Sequence, residues 1–278
     1  MKHFTFSRAG RAWNEDRVYS CDEYAFVLDG ASSLVKTQYS DLTTDAEWCS
    51  NWWCEYLKIA LGDKDKSIPE ILKAGVEMST KEFHEISGGA QLEDFPCTTA
   101  SIVRRNNGYL EMYAIADSPI LIKAKSGLHL VFEDSLNNVN EGFNTIRIKH
   151  FADIEGISMK ESRAKHGEIL YRNISIKNKF GGYYVLANSI DAIDHGVYNT
   201  IEENLIDKVL ILSDGYSQVY DTVKIMTCEE LVDAIESIED VAKLYQKLYD
   251  LQEEDSDCNK YTRFKIRDDA SIAFMKFE

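Results

Sequence analysis

The sequence predicts an α+β fold, a four-layer α-β-β-α sandwich of two antiparallel sheets flanked by helices. Three observations predict it. Short apolar runs rich in β-branched and aromatic residues recur along the 278 residues, which is typical of strands. Turn signals such as NNG at residues 106–108 separate neighbouring runs and favour antiparallel hairpins. Helical patterns stand in two groups, so helices on both outer faces of two packed sheets would bury every apolar face.

The predicted strands follow the apolar runs in chain order. Their length and their β-branched and aromatic content favour strands over helices. A further strand is predicted between Asp16 and the run YAFVL. The runs are HFTF, YAFVL, TTASIV, YLEMYAIA, ILIKA, LHLVF, YYVLA, VLIL and SIAFMKF.

Four helices are predicted from capping residues and apolar spacing. The first opens at a Thr44 capping box and stops at Gly62. The others open at Ser67, Thr227 and Ser237, each followed by apolar residues at helical spacing. Two of these helices precede the long run of strands and two precede the last strand.

One catalytic domain, residues 1–278, is predicted, since a chain of this length with 44% hydrophobic residues can fill a single large core. The stretch 138–178 has the weakest secondary-structure signal. It is rich in Lys and Arg in an otherwise acidic chain, and we interpret it as a flap or insertion beside a cleft. A solvated connector with ordinary charges is the alternative.

The composition of the chain argues against several classes of function. A formal net charge of −16 argues against a nucleic-acid or anionic-membrane surface, which needs clustered Lys and Arg. No run approaches the ~18 apolar residues of a membrane span, and the first residues lack the apolar core of a signal peptide. The six cysteines contain no CxxC pair and are interpreted as reduced thiols. We therefore expect a cytoplasmic monomer.

Acidic residues stand at strand boundaries. Asp29, Asp117 and Asp214 each follow a predicted strand, while Glu15 and Asp268 precede one. In an antiparallel sheet the end of one strand and the start of its neighbour lie at the same edge, so these acids can surround one cleft. A single Asp-Gly step after a strand is most often an ordinary turn. Five acids in this arrangement favour a shared site.

Carboxylates at such density repel one another, so a cation is needed to neutralise them. Oxygen ligands select Mg²⁺ or Mn²⁺. The glycine at Gly30 lets its backbone carbonyl approach an ion closely. Arg11 would by itself be a surface arginine, but beside such a cluster its guanidinium is suited to binding a phosphate. Together these features predict metal-assisted hydrolysis of a phosphate ester.

The motifs, taken in order, resemble the metal-dependent Ser/Thr protein phosphatase 2C family in its bacterial form. The resemblance extends from Arg11 to Phe274, and it implies the same α-β-β-α sandwich and a phosphorylated protein as substrate. The motifs are RAWNEDR, VLDGASS, TTASIV, AIADSPILI, LILSDGYS and RDDASIAF.

The resemblance also implies a role for each acid and two ions, Mn²⁺ or Mg²⁺. Asp29 would bridge the two ions. Glu15 and the Gly30 carbonyl would hold one of them, and Asp214 and Asp268 the other.

Further roles follow from the same resemblance. Asp117 would help to hold a third, weaker ion, and Asp16 would bond to the waters of the metal ions. Arg11 would bind the substrate phosphate, and Asp269 would be a supporting residue at most.

Several positions depart from the family pattern, among them Ser32-Ser33 in place of a common Gly-Gly pair. Ala31 replaces a histidine that acts as general acid in many eukaryotic members, Ala116 replaces a glycine and Pro119 replaces an arginine. Two alternatives stay open. The chain could hydrolyse a small phosphorylated metabolite or nucleotide, or it could be a metal-binding regulatory module that recognises phosphorylated partners without turning them over.

Overall fold

The computed structural model describes residues 1–31, 37–90, 94–169 and 175–278, with the side chains of 135–141 excepted. Residues 170–174 of the predicted flap therefore lie outside the described residues. Within the described ranges, no helix is both long and apolar enough to cross a bilayer.

The first sheet is antiparallel and joins the two ends of the chain. Its N-terminal strand pairs with the C-terminal one from Lys2 opposite Lys276 to Arg8 opposite Ala270. Within the described residues its strand order is β1 (Lys2–Arg8), β12 (Ala270–Lys276), β11 (Ile206–Leu212), β8 (Ile120–Ala124) and β9 (His129–Phe132).

The second sheet is also antiparallel. The predicted NNG turn connects two of its strands, and Asn107 and Gly108 both have positive φ there, as a tight hairpin requires. The described strands lie in the order β10 (Val197–Glu202), β7 (Tyr109–Ile115), β6 (Ala100–Asn106), β3 (Tyr24–Leu28) and β2 (Arg17–Ser20). A short separate pair consists of β4 (Gly30–Ala31) and β5 (Cys97–Thr98).

Helices cover the outer face of each sheet. Those on the second sheet are α1 (Asp45–Ala60) and α2 (Ile68–Ser87). Those on the first sheet are α5 (Asp214–Ser217), α6 (Cys228–Ala234) and α7 (Ile238–Glu254). Between β9 and β10 lie α3 (Ser135–Glu155), α4 (Met159–His166) and a 3₁₀ helix (Asp191–His195), and a second 3₁₀ helix (Glu203–Leu205) precedes β11.

The predicted helix starts are found at the capping residues. Ser67 and Thr227 form capping boxes, and Ser237 accepts a hydrogen bond from the backbone of its helix. Thr44 caps α1 by accepting from the Glu47 N–H, but the Glu47 carboxylate accepts from the Thr43 N–H instead of the Thr44 N–H. The reciprocal half of that predicted box is therefore shifted by one residue.

Three apolar layers explain the sandwich. Along β3, Ala25 and Val27 face the other sheet, whereas Phe26 and Leu28 face the helices α1 and α2. This alternation is the period of a strand that is buried on both faces. The inner layer between the sheets includes Val103, Met112, Ile211, Ala273 and Met275. The predicted α-β-β-α architecture is thus confirmed.

One predicted strand is absent, and one observed strand was not predicted. The run YYVLA is not a strand, although Leu186 is fully buried and bridges to Thr98. Conversely, β10 was not predicted, because most of its residues are exposed and its pattern lacks an apolar face.

The predicted flap includes α3, from residue 138 onward, and α4, which the sequence did not reveal. Ile148 and Ala152 of α3 and Met159 of α4 pack on Cys258 and Phe264, in the segment that leads to β12. Few side chains of α4 are buried, so its apolar periodicity is weak, and its start is marked by a capping box at Ser158. These helices form one side of the cleft described below.

Candidate active site

Two of the predicted acids lie at the ends of neighbouring strands, at one edge of the first sheet. Leu212 at the end of β11 pairs with Ile272 near the start of β12. Asp214 is the first residue of α5, two positions after β11 ends, and Asp268 lies two positions before β12 begins. The antiparallel register therefore places Asp214 and Asp268 on the same side of the sandwich, as predicted.

Asp29, after β3 of the second sheet, faces this pair. Loss of hydration raises the pKa of Asp29 well above its ordinary value, and the nearby carboxylates of Asp214, Asp16 and Asp268 raise it further. Four acids from the two sheets thus converge, and the repulsion between them favours the protonated form of Asp29. A bound cation would remove that repulsion.

Asp16 is the most deeply buried acid of the cluster. Burial and the neighbouring Asp269 carboxylate raise the pKa of Asp16 to about 7, while the Ser271 and Ser213 hydroxyls lower it in part. Neither hydroxyl reaches hydrogen-bond geometry, and both Asp16 carboxylate oxygens are buried without a partner among the described residues. Orphaned carboxylate oxygens beside other acids fit a site for hydrated divalent cations.

Glu15 and Gly30 lie against each other on the other side of the cluster. A Cβ atom built on Gly30 would stand 2.7 Å from the Glu15 carbonyl oxygen, so only glycine fits this approach. The Glu15 carboxylate accepts a 2.6 Å hydrogen bond from the Thr44 hydroxyl and a 3.1 Å bond from Arg11. Glu15 and Gly30, which were predicted to hold one ion together, therefore lie next to each other beside helix α1.

Arg11 is positioned by two contacts. Its guanidinium pairs with Glu15 and lies 5.0 Å from the centre of the Trp13 ring. Its side chain remains 44% exposed. The guanidinium thus lies beside the acids and is open to a ligand from solvent.

Asp117 reaches the site from the end of β7. It lines a cleft of about 950 Å³ together with Asp214 and Asp268. The preceding Ala116, fully buried, has φ of 69°, the left-handed conformation that favours glycine. The remaining walls come from α3, α4, α5, the segment that follows α5 and the segment before β12; they include Thr145, Arg163, Gln218, Asp221, Lys224 and Thr262.

Asp269 has a larger role than the sequence suggested. Its carboxylate accepts the backbone N–H groups of Gly10 at 2.8 Å and Glu15 at 2.7 Å. A Cβ atom on Gly215 would stand 1.9 Å from the Asp269 carbonyl oxygen, so the start of α5 packs directly on this residue. Asp269 therefore joins the N-terminal loop, α5 and β12 around the acids.

Lys265 was not anticipated as a site residue. Its ammonium donates to both carboxylate oxygens of Asp268, at 2.8 and 2.6 Å. The only sequence signal was a lysine three residues before the acid. Within the described ranges, no three His, Cys, Asp or Glu side chains surround one point closely enough to hold an ion. Asp268 faces Lys265 instead, and Glu15 faces Arg11 and Thr44.

Several solved structures share this fold along nearly their whole length. The Mycobacterium tuberculosis serine/threonine phosphatase PstP/Ppp is 16% identical, with a TM-score of 0.60, and the match covers 100% of this chain and 98% of that chain. The catalytic domain of PstP in complex with two manganese ions matches with a TM-score of 0.55 and 16% identity, covering 98% and 96%. Stp1 from Staphylococcus aureus matches with a TM-score of 0.54 and 14% identity, covering 100% and 95%.

Sequence comparison is more specific than the shared fold. No curated protein sequence matches the chain. A sequence model of the protein phosphatase 2C family matches residues 9–254, which include Arg11, Glu15, Asp29, Asp117 and Asp214. This match and the fold confirm the resemblance noted in the motifs. The chain therefore belongs to the protein phosphatase 2C family, a family of metal-dependent serine/threonine protein phosphatases.

Proposed function

We propose that this chain acts as a single catalytic domain that hydrolyses phosphoserine and phosphothreonine esters in proteins. The observation that carries the proposal is the convergence of Asp16, Asp29, Asp214 and Asp268 beside an open cleft. Divalent cations would neutralise these carboxylates, and Mn²⁺ or Mg²⁺ suits their oxygen donors.

In this proposal the acids would form a binuclear centre once the cations bind. Asp29, between the two groups, would contact both ions. Glu15 and the Gly30 carbonyl would hold one ion, and Asp214 with Asp268 the other. Asp16 would accept hydrogen bonds from metal-bound waters through its two orphaned oxygens.

Asp117 would hold a third, weaker ion, because it lines the same cleft as Asp214 and Asp268. The chemistry that such ions supply when bound is activation of water for attack on phosphorus and neutralisation of phosphate charge.

The protein's own contribution is to bind and orient the phosphate. Arg11 can offer two parallel N–H donors to phosphate oxygens, and its contacts with Trp13 and Glu15 restrict its orientation. Ala31 carries no proton donor, so the leaving alkoxide must take its proton from water. The broad cleft bordered by α3 and α4 has room for an extended phosphopeptide.

A second candidate is a metal-binding regulatory module without turnover. The observation that favours it is the ion pair between Lys265 and Asp268, which occupies a proposed metal ligand. A phosphatase of a small phosphorylated metabolite or nucleotide would use the same centre with a different substrate in the cleft.

The test is phosphate release after chelation and titration with Mn²⁺ or Mg²⁺. The substrates are p-nitrophenyl phosphate, a phosphothreonyl peptide and a nucleotide monophosphate. The wild type and the control Asp221→Asn, which removes a charge from the same cleft wall, should turn over the peptide only with metal. The rate of phosphate release by Asp214→Asn should be lower by about 100-fold or more, since a proposed metal ligand is removed.

Other results would separate the candidates. Preference for the nucleotide would favour the metabolite phosphatase. Measured Mn²⁺ binding without turnover of any substrate would favour the regulatory module. Turnover that needs no metal, or that survives in Asp214→Asn, would contradict the proposed centre.

A further inference from the structure

An amine of the protein itself lies within the acid cluster. The Lys265 ammonium contacts both oxygens of Asp268, at 2.8 and 2.6 Å. Lys265 lines the same cleft as Asp214 and Asp268. The lysine therefore places a positive charge directly against a proposed metal ligand.

The ammonium and a divalent cation would compete for the same carboxylate. A divalent cation held by Asp214 and Asp268 needs an oxygen of Asp268 that points toward it. Both oxygens of Asp268 instead face one ammonium, and the two cations would repel each other at such a distance. Binding of an ion by Asp268 therefore favours displacement of the ammonium.

The structure leaves a path for that movement. The Lys265 side chain is 36% exposed and forms part of the cleft wall together with Lys224 and Thr262. Its four-carbon stem is flexible, so the ammonium can turn into the cleft while the backbone stays in place.

We propose that Lys265 is a resident counter-ion that competes with a divalent cation for Asp268. Without metal, it neutralises part of the acid cluster and stabilises the fold. With metal, it is displaced toward the cleft, and the cost of breaking its ion pair weakens binding of the ion held by Asp214 and Asp268. This inference rests on the proposed function, because it takes Asp268 to be a metal ligand.

Calorimetric titration with Mn²⁺ tests the competition directly. Lys265→Met should tighten Mn²⁺ binding at the site of Asp214 and Asp268 by about tenfold, because a charge-assisted pair with a ligand no longer has to be broken. Lys265→Arg keeps the charge and should stay near the wild type. Lys224→Met is the matched control, since it removes a positive charge from the same cleft outside the Asp268 ion pair, and its affinity should change less than about twofold.

Thermal unfolding gives a second measurement that does not depend on activity. Metal-free Lys265→Met should unfold at a lower temperature than metal-free wild type, because Asp268 loses its partner. Saturating Mn²⁺ should then raise its Tm by more than it raises that of the wild type.

The outcomes are distinguishable. If Lys265→Met binds Mn²⁺ no more tightly than the wild type and Lys224→Met do, the proposed role of the lysine is wrong. The proposed metal centre would not be affected by that result. A lack of Mn²⁺ binding by the wild type and by every variant would overturn the metal centre and the competition together.

Discussion

The carboxylate of Asp269 accepts a 2.7 Å hydrogen bond from the backbone N–H of Glu15, a residue 254 positions earlier in the chain. The other oxygen of the same carboxylate accepts the Gly10 N–H at 2.8 Å. One side chain thus fixes the loop that carries Arg11 and Glu15 against the start of β12, next to Asp268. The relative placement of proposed ligands from opposite ends of the chain depends on this contact.

Removal of the Asp269 carboxylate should destabilise the protein. Asp269→Ala should lower the free energy of unfolding by about 2–3 kcal/mol, since two buried N–H groups lose a charged acceptor. Asp269→Asn should lower the free energy of unfolding by less, because its amide oxygen can still accept one of the two hydrogen bonds. Urea denaturation measures the effect, with the exposed Asp257→Ala as control. Equal stabilities of Asp269→Ala and Asp257→Ala would contradict this role.

The approach of α5 to β12 requires glycine at Gly215. A Cβ atom there would stand 1.9 Å from the Asp269 carbonyl oxygen, so Gly215→Ala should cost about 1–3 kcal/mol or more and weaken Mn²⁺ binding through the adjacent Asp214. Gly142→Ala is the control, because a Cβ atom there meets open space within α3. It should stabilise the protein by up to about 1 kcal/mol. A Gly215→Ala protein with wild-type Tm and Mn²⁺ affinity would be the contrary result.

Backbone strain beside the proposed third ligand should be relieved by glycine. Ala116 has φ of 69°, and the left-handed conformation costs a non-glycine residue ~1–2 kcal/mol, which glycine recovers in part. Ala116→Gly should therefore keep or raise stability, by up to about 1 kcal/mol. The buried Ala273→Gly in β12, without positive φ, should lower it. If both variants lose the same stability in thermal unfolding, the strain is not significant.

Arg11 should act on substrate binding more than on metal binding. Arg11→Ala should raise KM for a phosphopeptide by about tenfold or more, because a charged double hydrogen bond to phosphate is lost. Mn²⁺ affinity should be unchanged or higher, since Glu15 loses a competing partner. Steady-state kinetics and calorimetry measure the two effects, with the exposed Arg8→Ala as control. An unchanged KM would exclude Arg11 from the phosphate site.

Much of the fold was predictable because apolar period and capping chemistry are local signals. The strand β3 shows its two buried faces as an unbroken apolar run, and Ser67 and Thr227 mark helix starts by side-chain chemistry alone. The helices α3 and α4 were missed because α4 and the part of α3 after residue 141 expose much of their surface. A strand that is mostly exposed, such as β10, gave no signal for the same reason.

The acids of the site were predictable because strand ends on one edge must lie together once the strands pair. The residues that orient those acids could not be predicted from the sequence. The Asp269 carboxylate reaches Glu15 only through tertiary folding, and the direction of the Lys265 side chain depends on the packing of the loop before β12. Sequence order gives the position of a residue along an edge, but not the partner that its side chain selects.

We expect acids from both sheets to hold two divalent cations, with Asp29 between them. Calorimetric titration with Mn²⁺ of protein freed of metal by a chelator tests this arrangement by comparing the wild type with Asp29→Asn and the control Asp221→Asn. We expect two tightly bound ions per chain in the wild type and the control, apart from the weaker ion proposed at Asp117. In Asp29→Asn we expect loss of at least one of the two tightly bound ions and a weakening of the other by about 100-fold or more. An Asp29→Asn protein that binds two ions with wild-type affinity would contradict this arrangement.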